Sequence, residues 1–184
     1  MIDPHPIKKT DIVFLGDSLT EGFDLVNHFK RNDLRNRGIS GNLTDHILYR
    51  LEEIINAKPT AIFLMIGIND LFYGKKAEEV FENIRYILEL IYNNTPESMR
   101  YLQSVLPINE SRLLMDEGLN TSIYKLNGTL AEYCLDKPKL KFLEIHSEFL
   151  NMNGRMKGQY TFDGVHLSPE GYTLWAELIS EYLS

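Results

Sequence analysis

Cysteine is nearly absent from this chain of 184 residues, Cys134 being the only one. No internal disulfide can form, and the thiol reads as a small buried apolar side chain. Long apolar runs are lacking as well, since nothing approaches the roughly 20 residues that span a bilayer. Met1 to Thr10 carries charge and prolines where a signal peptide would have its hydrophobic centre, so no transmembrane segment and a cytoplasmic location are expected. Basic residues are outnumbered, 19 Lys and Arg against 26 Asp and Glu, and the formal net charge is -7 at pH 7. Such a surface repels the phosphates of nucleic acid and disfavours an anionic membrane. The sequence has no repeat, no low-complexity tract and no Pro-, Gly- or Ser-rich linker. It also lacks a His-Glu-x-x-His zinc signature and a phosphate-binding Gly-Lys-Ser/Thr, so neither metal nor organic cofactor is expected.

What is present suits one soluble α/β domain. A hydrophobic content of 43% over this length supports one core and is short for two domains. Residues 1–10 read as an N-terminal tail and 11–184 as the domain. Apolar runs predict strands at Ile12 to Leu15, near Leu34 to Arg37, at Ala61 to Ile66, at Arg100 to Leu106 and at Lys141 to Ile145. Runs of that kind fit a sheet covered on both faces. Helical spacing marks Ile47, Leu48, Leu51, Ile54 and Ile55, then Val80, Phe81, Ile84, Ile87, Leu88 and Ile91, then Tyr172, Trp175, Leu178, Ile179 and Tyr182. These stripes are core faces.

Four short segments carry chemistry. The apolar run Ile12 to Leu15 ends on Gly16-Asp17-Ser18-Leu19-Thr20, which leaves Ser18 at a strand-to-helix junction, where its own N–H can donate to a developing negative charge. An ordinary helix cap explains the same residues. Gly38-Ile39-Ser40-Gly41-Asn42 offers exposed backbone N–H groups or a plain turn. Gly67-Ile68-Asn69-Asp70 puts a side-chain amide directly after a strand, for the oxyanion or for a local turn. Near the other end, Asp163 precedes His166 by a spacing that lets a carboxylate accept from one ring nitrogen and leave the other as a base. Parallel strands joined by crossover helices bring all four segments to one sheet edge.

Ser18, Gly41, Asn69 and His166, in this order, resemble the SGNH or GDSL hydrolases over nearly the whole chain. The run Gly38 to Leu51 is most similar to the branch holding the small catalytic subunits of platelet-activating-factor acetylhydrolase. The resemblance implies a three-layer α/β/α, flavodoxin-like fold with a five-stranded parallel sheet in the order 2-1-3-4-5. It implies Ser18 as nucleophile, His166 as general base, Asp163 as its orienting partner, and Ser18 N–H, Gly41 N–H and the Asn69 side chain as oxyanion hole. It also implies a homodimer. Asn42 departs from the Asp often found in that branch. The Gly-x-Ser-x-Gly elbow of other esterases is absent, because Thr20 stands in the place of its last glycine.

The expected activity is hydrolysis of a small-molecule carboxylic ester with a short, acetyl-type acyl group. Lysophospholipase or thioesterase action on longer chains, a binding module without activity, and a flavodoxin-like nucleotide binder are the alternatives. Phe72, Tyr73, Tyr160 and Phe162 flank the loops and read either as walls of a substrate pocket or as core. His46 reads as a residue on an exposed helix face. His146 and Glu148 lie in the connection before Tyr160, and His5 and His28 have no partner pattern.

Overall fold

The structure is a computed structural model that describes residues 4–113 and 118–183. In chain order its elements are β1 (Ile12–Gly16), α1 (Ser18–Glu21), α2 (Leu25–Phe29), β2 (Leu34–Gly38), α3 (Thr44–Tyr49), α4 (Leu51–Ala57), β3 (Ala61–Met65) and α5 (Ile68–Phe72). There follow α6 (Ala77–Asn94), β4 (Met99–Gln103), α7 (Glu110–Leu113), α8 (Leu119–Cys134), β5 (Leu140–Leu143), α9 (His146–Phe149) and α10 (Pro169–Ile179). Among the described residues the strands form one five-stranded sheet in the order β2-β1-β3-β4-β5, every pairing parallel. No helix in them is long and apolar enough to cross a membrane.

Alternation along the central strands builds the two outer layers, because successive side chains point to opposite sheet faces. Val13 and Leu15 of β1, with Ile62 and Leu64 of β3, pack under α3, α4, α6 and α8 through Ile47, Ile54, Ile84, Ile87 and Leu126. Ile12 and Phe14, with Phe63, face the other way onto Phe23, Trp175 and Ile179. The Phe14 and Phe63 rings stack at 4.7 Å and those of Phe23 and Trp175 at 4.4 Å. Trp175 is fully buried, and its indole N–H has a partner in Gln103 Oε1 at 2.6 Å. Ser168 caps α10 by accepting from Gly171 N–H, with Pro169 as the first helical residue, a position where the missing proline N–H costs nothing. Cys134 is buried, which pushes its thiol up to about 11.

Three elements differ from the sequence expectation. The strand expected over Arg100 to Leu106 keeps its ladder only to Gln103. Ser104 N–H still donates to Leu143 O at 3.0 Å, but beyond it side chains take over: Val105 exchanges both of its groups with the Asn127 amide at 2.8 and 2.9 Å, and Ser104 Oγ accepts from Ile145 and His146 N–H. Ile145, expected in β5, therefore lies past the strand's end. The stripe from Ile47 to Ile55 is two helices, broken at Arg50, whose φ of -120° and ψ of 11° leave helical geometry.

Candidate active site

The carboxyl ends of β1, β2 and β3 lie side by side, with Gly16 opposite Gly38 on one flank and Met65 on the other. Directly after β1, Asp17 caps α1 by accepting from Leu19 N–H at 3.0 Å, and Ser18 opens the helix. As a first helical residue, Ser18 has no carbonyl one turn back to receive its N–H. Two glycines allow this turn to sit so low against the sheet. A Cβ on Gly38 would lie 2.1 Å from Glu21 N, and one on Gly16 would lie 2.4 Å from Met65 O. Asn36 fastens the same turn from β2, donating to Thr20 O at 2.6 Å and to Phe23 O at 3.0 Å.

His166 reaches this turn from the far end of the chain. Its Nε2 lies 3.0 Å from Ser18 Oγ, and its Nδ1 lies 2.6 Å from Asp163 Oδ2. The network assigns the tautomer: Nδ1–H donates to the carboxylate, and Nε2 accepts from the Ser18 hydroxyl. The other Asp163 oxygen accepts from Val165 and His166 N–H at 2.9 and 2.8 Å, so one carboxylate fixes both the ring and the loop carrying it. Partial burial opposes ionisation of Asp163, but these bonds from His166 and Val165 outweigh it and hold the carboxyl below its usual range. Gly164 adopts a φ of 107°, and a Cβ there would meet Asn109 O at 2.9 Å, so the bend between Asp163 and His166 requires glycine.

Gly41 has a φ of 74° in the exposed loop after β2, with nothing within 4 Å of where a Cβ would be. Asn69, in α5, donates one amide N–H to Asn42 O at 3.0 Å and keeps a second for another acceptor. Asn69 and the Gly41-Asn42 loop are thus tied together, on the strand edge that carries Ser18.

The aromatic candidates divide. Phe162 is exposed and lies nearly parallel to the His166 ring, at 6.2 Å and 16°. Tyr73 is exposed too. Phe72 packs on one core cluster, whereas Tyr160 packs on the other and meets Phe149 edge-on at 5.5 Å. His46 is exposed and its Nδ1 accepts from Leu43 N–H, which caps α3. His146 is buried, with Nδ1 2.8 Å from Val105 O, so its role is to hold the segment after β4.

The burial of two carboxylates and the reach of one guanidinium around these loops escaped the sequence reading, although Asp17 is the helix cap that its motif offered. Asp17 is 1% exposed, and burial pushes its carboxyl up to about 7 against the opposing pull of the Leu19 N–H and of His166. Asp70 is fully buried beneath Asn69, and Arg50 reaches the strand ends from the break between α3 and α4. Each stands inside a motif already singled out, yet its burial follows from packing between distant segments.

Comparison with known proteins agrees with this architecture. The model of the GDSL-like lipase/acylhydrolase family matches residues 14–174. Subunit alpha2 of platelet-activating factor acetylhydrolase IB from Gallus gallus is 29% identical over 171 residues, covering 90% of this chain and 72% of the relative. Subunit alpha1 from Homo sapiens is 27% identical, with the same coverages of 90% and 72%. A GDSL-like lipase from Bacteroides thetaiotaomicron superposes with a TM-score of 0.83 at 29% identity, covering 95% of this chain and 88% of that one. The chain belongs to the GDSL-like lipase/acylhydrolase family and is a hydrolase of ester bonds.

Proposed function

We propose that this protein hydrolyses short-chain, acetyl-type carboxylic esters through a Ser18 acyl-enzyme, with His166 as general base and Asp163 as its orienting partner. The unbroken path from Asp163 Oδ2 through the His166 ring to Ser18 Oγ, at 2.6 and 3.0 Å, carries this reading. A serine hydroxyl is a weak nucleophile until a base takes its proton.

In the first half-reaction His166 Nε2 removes the Ser18 proton while Oγ bonds to the acyl carbon. The carbonyl electron pair moves onto oxygen. Ser18 N–H, Gly41 N–H and the free N–H of the Asn69 amide stabilise that oxyanion. His166, now protonated and held by Asp163, gives its proton to the departing alcohol as the ester bond breaks. Water then attacks the serine ester with the same imidazole as base, and the carboxylic acid leaves.

The openness of the site supports a small substrate. The His166 and Asp163 side chains are 42% and 43% exposed, and the Phe162 ring beside His166 stands in solvent rather than roofing a tunnel. The name acetylhydrolase borne by the curated relatives points the same way. The test is hydrolysis of 4-nitrophenyl esters from acetyl to dodecanoyl by wild type and Ser18→Ala. The expected result is kcat/KM highest for acetyl and lost in the variant. Rising efficiency towards dodecanoyl would instead support lysophospholipase or thioesterase action.

A further inference from the structure

We infer that Arg50 is a positioning residue, whose guanidinium sets the Gly41-Asn42 loop and, through Asn42, the Asn69 amide against the turn that carries Ser18. The inference rests on the esterase reading above and extends it to a residue that touches no reacting atom.

Three donors of one planar group go to three different segments. Nη2 donates to Gly16 O at 2.9 Å, at the end of β1. Nη1 donates to Arg37 O at 2.7 Å, in β2. Nε donates to Asn42 Oδ1 at 2.9 Å, in the loop beyond β2. The fork thus spans the strand that delivers the nucleophile, its neighbour in the sheet, and the loop that holds the second oxyanion donor. Asn42 passes the constraint on, since its own carbonyl accepts from Asn69 Nδ2 at 3.0 Å. One residue is held by Arg50 at its side chain and holds Asn69 by its backbone.

Packing does not do this work at Gly41. That residue is exposed, and no atom lies within 4 Å of where its Cβ would be. The loop's position therefore depends on hydrogen bonds: Ile39 N–H to Gly16 O at 3.2 Å and Ser40 N–H to the Glu21 carboxylate at 2.7 Å before Gly41, then Asn42 N–H to Ile39 O at 3.1 Å, the Arg50 fork, and the Asp70 anchor at Thr44. Arg50 makes no ion pair among the described residues. Burial and the nearby Arg37 push its pKa down to about 10, with Glu53 and Asp17 pulling the other way, so the group stays charged at neutral pH. A charge kept in that setting is held by its three acceptors, and the helical stripe is interrupted at Arg50 itself. Lysine cannot substitute, because an ammonium lacks the rigid fork.

The test is steady-state kinetics on 4-nitrophenyl acetate, with melting temperatures, for wild type, Ser18→Ala, Arg50→Lys, Arg50→Met, Asn42→Ala and Asn42→Asp. Loss of a whole oxyanion donor costs about 100- to 1000-fold in kcat, so misplacing donors is expected to cost about tenfold in Arg50→Lys, Arg50→Met and Asn42→Ala, with KM nearly unchanged. Asn42→Asp, whose carboxylate still accepts from Nε, is expected to recover most of what Asn42→Ala loses. A purely structural Arg50 would lower the melting temperature without this separation of kcat from KM. If Ser18→Ala abolishes turnover while Arg50→Lys and Asn42→Ala keep wild-type kcat, the inference is wrong and the esterase reading stands. Turnover that survives in Ser18→Ala overturns the esterase reading and the inference with it. Asn42→Ala decides the matter if the Arg50 variants do not fold.

Discussion

Asp70 accepts from Thr44 twice, from the backbone N–H at 2.9 Å and from the hydroxyl at 2.7 Å, and so joins the first turn of α3 to the helix that carries Asn69. Lys75 Nζ completes the set at 2.9 Å from the same carboxylate. A fully buried carboxylate with three donors is stable where it is, but its removal strands the two Thr44 donors, while Lys75 keeps Asp45 at 2.5 Å. Asp70→Ala is expected to cost on the order of 3 kcal/mol in urea unfolding at unchanged m-value. A loss below about 1 kcal/mol would mean that water or a rearranged Lys75 replaces the carboxylate at little cost.

Asp17 gives stability an unusual pH dependence. Its folded pKa of about 7 lies well above the 3.8 of an ordinary aspartate. The folded state therefore binds the proton more tightly than the unfolded chain. The associated stability is fully present below the unfolded value and is lost as pH rises towards 7. Asp17→Asn keeps an oxygen for the Leu19 N–H and removes the titration. Compared with wild type, the variant is expected to gain little at pH 4 and on the order of 2–4 kcal/mol at pH 8, measured by urea unfolding. A difference that does not change with pH would contradict the burial argument.

The strand edges were readable because Ile12 to Leu15 and Ala61 to Ile66 are apolar at every position, as a strand covered on both faces requires. Ser18, Asp163, His166 and Asn69 were legible as candidates because each sits in a short, composition-marked turn, and the structure brings the first three within hydrogen-bond reach of one another. The break at Arg50 was not, since Ile47 to Ile55 keeps helical spacing across it, and the Gly16 and Arg37 carbonyls that receive the Arg50 guanidinium are brought near only by the sheet. The end of β4 was hidden for a similar reason. Ser104 to Leu106 is as buried as a strand, but after the Ser104 N–H bond to Leu143 O the two Val105 groups go to Asn127 from α8, and Ser104 Oγ accepts from Ile145 and His146.

Glycines separate close packing from mere flexibility. A Cβ on Gly38 would fall 2.1 Å from Glu21 N and 2.5 Å from Thr20 C, both backbone atoms of α1. Gly38→Ala must push the Ser18 turn away and is expected to cost roughly 2–3 kcal/mol as well as activity. Gly128, exposed in α8 with nothing within 4 Å, is the control. Gly128→Ala is expected to stabilise by about 0.5–1 kcal/mol with activity unchanged, because alanine loses less backbone entropy in a helix. Equal melting temperatures for the two variants would count against the packing of β2 on α1.

The most direct test of the central claim is mass spectrometry of the protein after reaction with a fluorophosphonate, which bonds to a hydroxyl activated by a neighbouring base. The expected result is a single adduct on the peptide containing Ser18, absent from Ser18→Ala and formed orders of magnitude more slowly in His166→Ala. An adduct on another residue, or none on a folded wild-type protein, would contradict the assignment of Ser18 as the nucleophile.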